Sequence, residues 1–280
     1  MNINKNLKIT LIIFLTIIAI CFCFDKIDNY SINKNYSNDL YDEGVSSRDC
    51  NVAGIELHGE LVTYISNEYY SEDGYLLVDQ TASEDVVYSI EAAEANDSIK
   101  AIIIEIDSYG GSLVAGEEIE NALKRAVKPT VILIRDVCLS AAYYAAIGAD
   151  IVFASKNSDI GSIGVTMSYL DYAERDEYEG VNYNQLSSGK FKDAGSPDKI
   201  LTTEERNLFM RDVNIMNENF MQEVAWNKDL DIERVRAIAD GSSMLGEMAL
   251  ENSLIDRVGG MHEVKEYLGK LLNEDIGVCW

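Results

Sequence analysis

Apolar residues fall into two kinds of run along this chain, and their alternation predicts its architecture. Val52-Ala53-Gly54-Ile55-Glu56-Leu57 alternates with a period of two and reads as a strand ending at His58-Gly59. Residues 83–95 read as a helix. Ala101-Ile102-Ile103-Ile104-Glu105-Ile106 is almost continuously apolar, as a strand buried on both faces requires. It stops at Asp107-Ser108-Tyr109-Gly110-Gly111. Ala115, Ile119, Ala122, Leu123 and Ala126 then recur at helical spacings of three and four. Residues 131–134 form the next strand, 140–147 an alanine-rich helix, 151–154 a strand, and Ile163-Gly164-Val165 a further short one. Helices follow over 203–226 and 232–239. The segment 241–271 closes with a short strand near 254–258 and a last helix. Strand and helix alternate throughout, which predicts an α/β fold with a largely parallel sheet and flanking helices.

The N-terminus breaks this pattern. Lys5 and Lys8 precede an apolar run from Ile9 to Phe24, and polar residues resume at Asp25. As a helix the run would be about 24 Å long, a little short of a bilayer core of about 30 Å. Lysines ahead of it favour a cytoplasmic N-terminus. Bulky Ile20, Phe22 and Phe24 offer no small-x-small cleavage site, so residues 1–24 are expected to be an uncleaved signal anchor rather than a removed signal peptide. Ile20 before Cys21 and Phe22 before Cys23 also argue against a lipoprotein. Residues 25–50, rich in Asn, Ser and Asp, are expected to be a flexible linker. Residues 51–280 are then expected to form one domain, outside the cytoplasm and held to the cell membrane by a single span.

Charge narrows the partners. A net charge of −25 argues against binding a phosphate backbone, so no nucleic acid is expected. The cysteines show no CxxC pair and no metal-ligand spacing, and the carboxylates form no metal motif. No metal and no cofactor are expected. Cys21 and Cys23 lie in the apolar run and Cys138 beside a candidate nucleophile, which leaves Cys50 and Cys279 as the two free to pair.

Two segments carry candidate chemistry. In Cys138-Leu139-Ser140-Ala141-Ala142-Tyr143-Tyr144, a serine follows an apolar strand at the start of a small-residue helix. An ordinary helix cap would look the same. A serine needs a base, and neither His58 nor His262 stands in a recognisable triad; both read as structural or exposed. Ser188-Gly189-Lys190-Phe191-Lys192-Asp193 offers lysines instead. A lysine base must be neutral, which requires its pKa to fall from about 10.4 towards about 7, roughly 4.6 kcal/mol against the charged form. Burial under substrate can supply that, and Lys190 and Lys192 compete for the role. Gly110-Gly111 reads as a tight turn at a helix start, with backbone N–H groups suited to an oxyanion hole. A phosphate-binding loop fits less well, because the Walker lysine is missing. Tyr143 and Tyr144 read as packing residues.

In order and spacing these segments resemble the signal peptide peptidase A family of membrane-bound serine–lysine peptidases. The likeness runs from about residue 51 to 269, through Asp107-Ser108-Tyr109-Gly110-Gly111, the Ser140 segment, Gly161-Ser162-Ile163-Gly164-Val165, the Lys192 loop and Gly259-Gly260. Tyr109 stands where the family usually has proline, and Ala141-Ala142 where Gly-Gly is common. The resemblance implies a ClpP/crotonase-like fold. It assigns Ser140 as nucleophile, Lys192 rather than Lys190 as general base, and Ser162 as the residue that orients the lysine. Gly111, with Gly110, falls on the family's oxyanion segment. It also implies a dome-like homo-oligomer, with an octamer as the candidate form, in which the base comes from a neighbouring subunit. The implied substrates are remnant signal peptides and misfolded secreted proteins. Two other functions compete: a crotonase-like acyl-CoA enzyme, which would need no Ser–Lys pair, and an inactive membrane scaffold, which would not react with a fluorophosphonate.

Overall fold

The structure is a computed structural model that describes residues 50–66, 69 and 78–280. The expected anchor and the expected linker, apart from Cys50, lie outside the described residues. Cys50–Trp280 forms one compact unit.

Its elements in chain order are β1 (Val52–Val62), β2 (Gln80–Ala82), α1 (Ser83–Ala95), β3 (Ala101–Gly111), α2 (Leu113–Arg125), β4 (Thr130–Leu139), α3 (Ala141–Ala146), β5 (Ile151–Ala154), β6 (Asp159–Gly161), α4 (Ala173–Tyr178), α5 (Thr203–Asn227), α6 (Ile232–Ile238), β7 (Ser243–Leu245), α7 (Gly246–Glu251), β8 (Arg257–Val258), α8 (Met261–Leu272) and β9 (Val278–Cys279). The main sheet runs β2-β1-β3-β4-β5-β8, with β9 beside β1 and β6 beside β4. Of the described strand pairs, only β6–β7 is antiparallel.

Both faces of the sheet are covered, which explains the unbroken apolar run in β3. Ile102, Ile104 and Ile106 pack with residues of α1, α2, α3 and α5, including Ile90, Ile119, Tyr143 and Phe220. Ala101 and Ile103 point the other way, towards Val264 and Leu268 of α8. Phe220 is fully buried, with its ring centroid 5.1 Å from that of Tyr144. Truncating such a residue to alanine costs about 3–5 kcal/mol, so this contact helps fasten α5 to α3.

A crease crosses the central strands. The β1–β3 register shifts between His58 and Glu60, and the β3–β4 register between Ile106 and Ser108. In line with them, β4 changes partner: residues 131–134 pair with β5, and residues 137–139 pair with β6. Side chains stitch the crease. The Ser108 hydroxyl donates to the Gly59 carbonyl at 2.6 Å, the Val137 N–H donates to Asp107 Oδ1 at 3.3 Å, and the Ser158 hydroxyl donates to the Arg135 carbonyl at 2.5 Å. The ends of β3, β4 and β6 continue past the crease side by side.

Two expectations need correction here. Ile163-Gly164-Val165 is not a strand; the pairing residues are Asp159–Gly161, and the chain leaves the sheet at Ser162, where φ is 49°. Gly110-Gly111 is not a turn at a helix start. Both glycines belong to β3, opposite Glu60 and Leu61 of β1, and the helix begins only after Ser112, whose hydroxyl accepts from the Ala115 N–H at 3.4 Å.

Cys50 and Cys279 form a disulfide with a Cα–Cα distance of 5.7 Å, joining positions 229 residues apart. It locks β9 against the first residues of β1, where Val52 and Ala53 pair with Val278 and Cys279.

Candidate active site

The ends of β3, β4 and β6 bring Gly110, Ser140 and Ser162 together. Ser140 lies between β4 and α3 with φ 52° and ψ −123°. For a residue with a side chain this is strained backbone, costing about 1–3 kcal/mol. Neighbours hold it there. The Ser140 N–H donates to the Gly161 carbonyl at 2.8 Å, and its carbonyl accepts from the Tyr144 N–H at 2.9 Å. A Cβ on Gly110 would come within 2.6 Å of the Leu139 carbonyl oxygen and 2.9 Å of Ser140 Cβ, so glycine alone lets β3 approach this closely. The Ser140 hydroxyl makes no capping bond. An ordinary cap would have used it. A sharp strand–serine–helix turn of this kind presents a serine hydroxyl to solvent and substrate.

Cys138, two residues earlier, is fully buried, and burial pushes its thiol pKa up, so it packs rather than reacts. Tyr143 is also fully buried and donates to the Leu254 carbonyl at 2.8 Å. Ala141 and Ala142 have no exposed surface, and a Cβ on Gly116 of α2 would come within 2.5 Å of the Ala141 carbonyl oxygen. The small residues after Ser140 therefore let α2 and α3 pack closely.

Ser162 sits one residue beyond the pairing of Leu139 with Gly161. Its N–H donates to the Ser242 carbonyl at 3.1 Å, and its hydroxyl donates to the Gly241 carbonyl at 3.0 Å. With its proton so engaged, its lone pairs face outward as acceptors. The Gly110 N–H is engaged too, donating to Ser108 Oγ at 3.1 Å. Gly111 has φ 156°, and a Cβ there would overlap the Leu61 carbonyl. Tyr109, between Ser108 and the glycines, is 74% exposed, so its side chain takes no part in holding this turn of chain.

Neither candidate lysine is joined to Ser140 within the chain. Lys192 is exposed, and its amine has no hydrogen-bond or ion-pair partner among the described residues; its N–H donates to the Gly189 carbonyl at 3.2 Å. Lys190 pairs with Glu204 at 2.7 Å and lies 5.2 Å from the Phe191 ring centroid. The segment around them exposes large apolar side chains, among them Leu170, Tyr178 and Leu186, the last 98% exposed. Such a surface is suited to burial against another one. His58 faces Glu105, with Nε2 at 3.5 Å from its carboxylate, and His262 is exposed in the first turn of α8. No hydrogen bond joins either histidine to Ser140 among the described residues.

Some contributors were not singled out from sequence. Gly161, with φ 99°, supplies the carbonyl that fixes Ser140, and Gly241 and Ser242 supply the carbonyls that fix Ser162. Asp240-Gly241-Ser242 carries a turn signature, but nothing local links it to a serine so far away in the chain. Among the described residues no cluster of His, Cys, Asp and Glu is arranged to hold a metal ion.

Known proteins resemble this chain in sequence. The profile of the Clp protease family matches residues 75–160, and that of peptidase family S49 matches residues 122–274. A putative protease of Methanocaldococcus jannaschii is 30% identical over 216 residues, covering 75% of this chain and 70% of that protein. A putative signal peptide peptidase SppA of Enterococcus faecium is 26% identical over 237 residues, covering 84% and 67%. The chloroplastic serine protease SPPA of Arabidopsis thaliana is 29% identical over 182 residues, covering 64% of this chain and 27% of that longer protein. The parallel sheet with its flanking helices is thus a ClpP-like fold, and the chain belongs to peptidase family S49, as a serine peptidase of the signal peptide peptidase A type.

Proposed function

We propose that the chain is a membrane-anchored serine endopeptidase that uses Ser140 as nucleophile and Lys192 as general base to degrade remnant signal peptides. The conformation of Ser140 carries this reading: a strained serine with an unspent hydroxyl, held at the end of β4 by Gly110 and Gly161. Its Oγ attacks a peptide carbonyl while its proton passes to the Lys192 amine. The oxyanion is met by a backbone N–H, for which Gly111 is the better candidate because the Gly110 N–H is held by Ser108. The ammonium then protonates the leaving amine, and water resolves the acyl-enzyme. Ser162, its proton given to the Gly241 carbonyl, accepts from the lysine amine and orients it.

Lys192 is exposed and makes no hydrogen bond to Ser140 in its own chain, which favours a homo-oligomer in which it serves the serine of a neighbouring copy. The exposed apolar side chains around it suit that contact. The Cys50–Cys279 disulfide fits an oxidising compartment, and so supports a catalytic domain outside the cytoplasm behind an anchor at residues 1–24. Apolar signal-peptide remnants and misfolded secreted chains would be within reach there.

The test is labelling of detergent-extracted full-length protein with a fluorophosphonate, together with hydrolysis of a synthetic signal peptide. Wild type should label and cleave, Ser140→Ala should do neither, and both should assemble alike. An assembled Ser140→Ala variant that still cleaves near the wild-type rate would remove Ser140 from the mechanism.

A further inference from the structure

We propose that Asp193 and Lys199 are positioning residues that pin the turn carrying Lys192 to the N-terminus of α5. The inference rests on the reading of Lys192 as the base.

The turn has little fastening of its own. It is held by the Lys192 N–H to Gly189 carbonyl contact, the Ala194 N–H to Phe191 carbonyl contact at 3.2 Å and the Ser196 N–H to Asp193 carbonyl contact at 3.1 Å. These are local bonds that shape it without placing it. Asp193, the next residue after Lys192, does the placing. Its carboxylate accepts from the Tyr183 hydroxyl at 2.9 Å, the Gln185 amide at 2.5 Å and the Lys199 amine at 3.2 Å. Lys199 also donates to Glu205 at 2.6 Å. Glu205 is 2% exposed, and its other oxygen accepts from the Thr202 N–H and hydroxyl, each at 2.9 Å, closing the capping box of α5. An unbroken chain of charge-assisted bonds therefore runs from the residue beside the base to the N-terminus of α5.

The same chain separates the two roles a lysine can play here. Lys199 lies between two carboxylates, Asp193 from the turn and Glu205 from α5, and bonding to Glu205 and then to Asp193 raises its pKa despite desolvation. It stays charged, so it is a clamp rather than a base. The neighbouring Lys190 is committed to Glu204. Around Lys192, then, Asp193 is balanced by Lys199, and removing either partner changes the local field as well as the geometry.

The experiment measures kcat/KM of the full-length enzyme against pH with one short apolar peptide, with melting temperature and fluorophosphonate labelling as controls. A base that must be neutral to act makes kcat/KM rise with pH. Lys199→Met leaves two carboxylates uncompensated beside the turn and should move this rise to higher pH. Asp193→Asn removes a negative charge and should move it the other way. Lys199→Arg should restore the wild-type position. Tyr183→Phe removes a neutral donor to Asp193 and should lower kcat without moving the rise. A purely structural role would scale the whole profile and shift neither variant. Overlap of the Lys199→Met and Asp193→Asn profiles with wild type overturns the proposal. If Lys192→Met keeps its activity, the assignment of Lys192 itself has failed, and the proposal falls with it.

Discussion

Replacing Gly110 by alanine tests whether the shape of the Ser140 turn, and not merely its sequence, is what matters. The position has φ 97°, which costs an L-residue about 1–2 kcal/mol. The new Cβ would also press on the Leu139 carbonyl at 2.6 Å and Ser140 Cβ at 2.9 Å, both in a turn without slack. Overpacking of this kind costs about 1–3 kcal/mol. Together that is about 2–5 kcal/mol, or a fall of about 4–10 °C in melting temperature for a domain of this size. Whatever relief the turn finds must displace Ser140, and a misplacement of about 1 Å costs about 100-fold in rate. Gly180→Ala is the matched control. It has a comparable φ of 77°, but nothing lies within 4 Å of the added methyl, so it should show the backbone cost alone and full activity. Thermal unfolding, kcat/KM on a short apolar peptide and the rate of fluorophosphonate labelling should be measured for both. Equal labelling rates in Gly110→Ala and Gly180→Ala, with similar melting temperatures, would refute the claim that Gly110 shapes the nucleophile.

Three further outcomes are expected. Breaking the disulfide by Cys279→Ser frees a loop of 229 residues, for which the chain-entropy relation gives about 5 kcal/mol as a ceiling; denaturant melts should show a loss of about 2–5 kcal/mol, and no loss would mean that the bond constrains little. Lys199 first, and Thr202 next, hold the Glu205 carboxyl pKa down to about 2, so its stabilising effect is complete above the ordinary carboxylate pKa and fades as pH falls from about 4.5 to about 2. Glu205→Gln should therefore melt below wild type at pH 7 and converge with it near pH 2, and a gap independent of pH would contradict this. Lys190→Met, which breaks an exposed pair with Glu204 and a contact with the Phe191 ring, should keep most activity where Lys192→Met loses it, and the reverse pattern in peptide hydrolysis would exchange the two residues.

The framework of the sheet was legible because burial on both faces leaves a strong mark. The run 101–106 and residues 131–134 read as strands for the same reason that they are strands: each has one set of side chains under α1–α3 and another under α8. The short strands were not legible. β2, β7 and β9 have two or three residues each, too few for a period, and exist because a neighbour is already in place. Asp159-Ile160-Gly161 has poor strand propensity but is paired on both sides, whereas Ile163 and Val165 alternate convincingly and belong to no strand. At the site, Ser140 stood out by its neighbours in sequence, but its backbone strain did not, since that comes from Gly110 and Gly161 in other strands. The glycine pair reads as a turn because glycine signals freedom, whereas in the structure it serves close approach between adjacent strands.

The bond between Cys50 and Cys279 also changes what a cut in this protein means. It makes the peptide between those two residues a covalent ring. A single scission in an exposed stretch such as residues 181–191 would open the ring without releasing a fragment. The product would keep its full mass on a non-reducing gel, and its new ends would remain tethered through the old ones, which is the connectivity of a circular permutant. Only reduction would turn it into two chains.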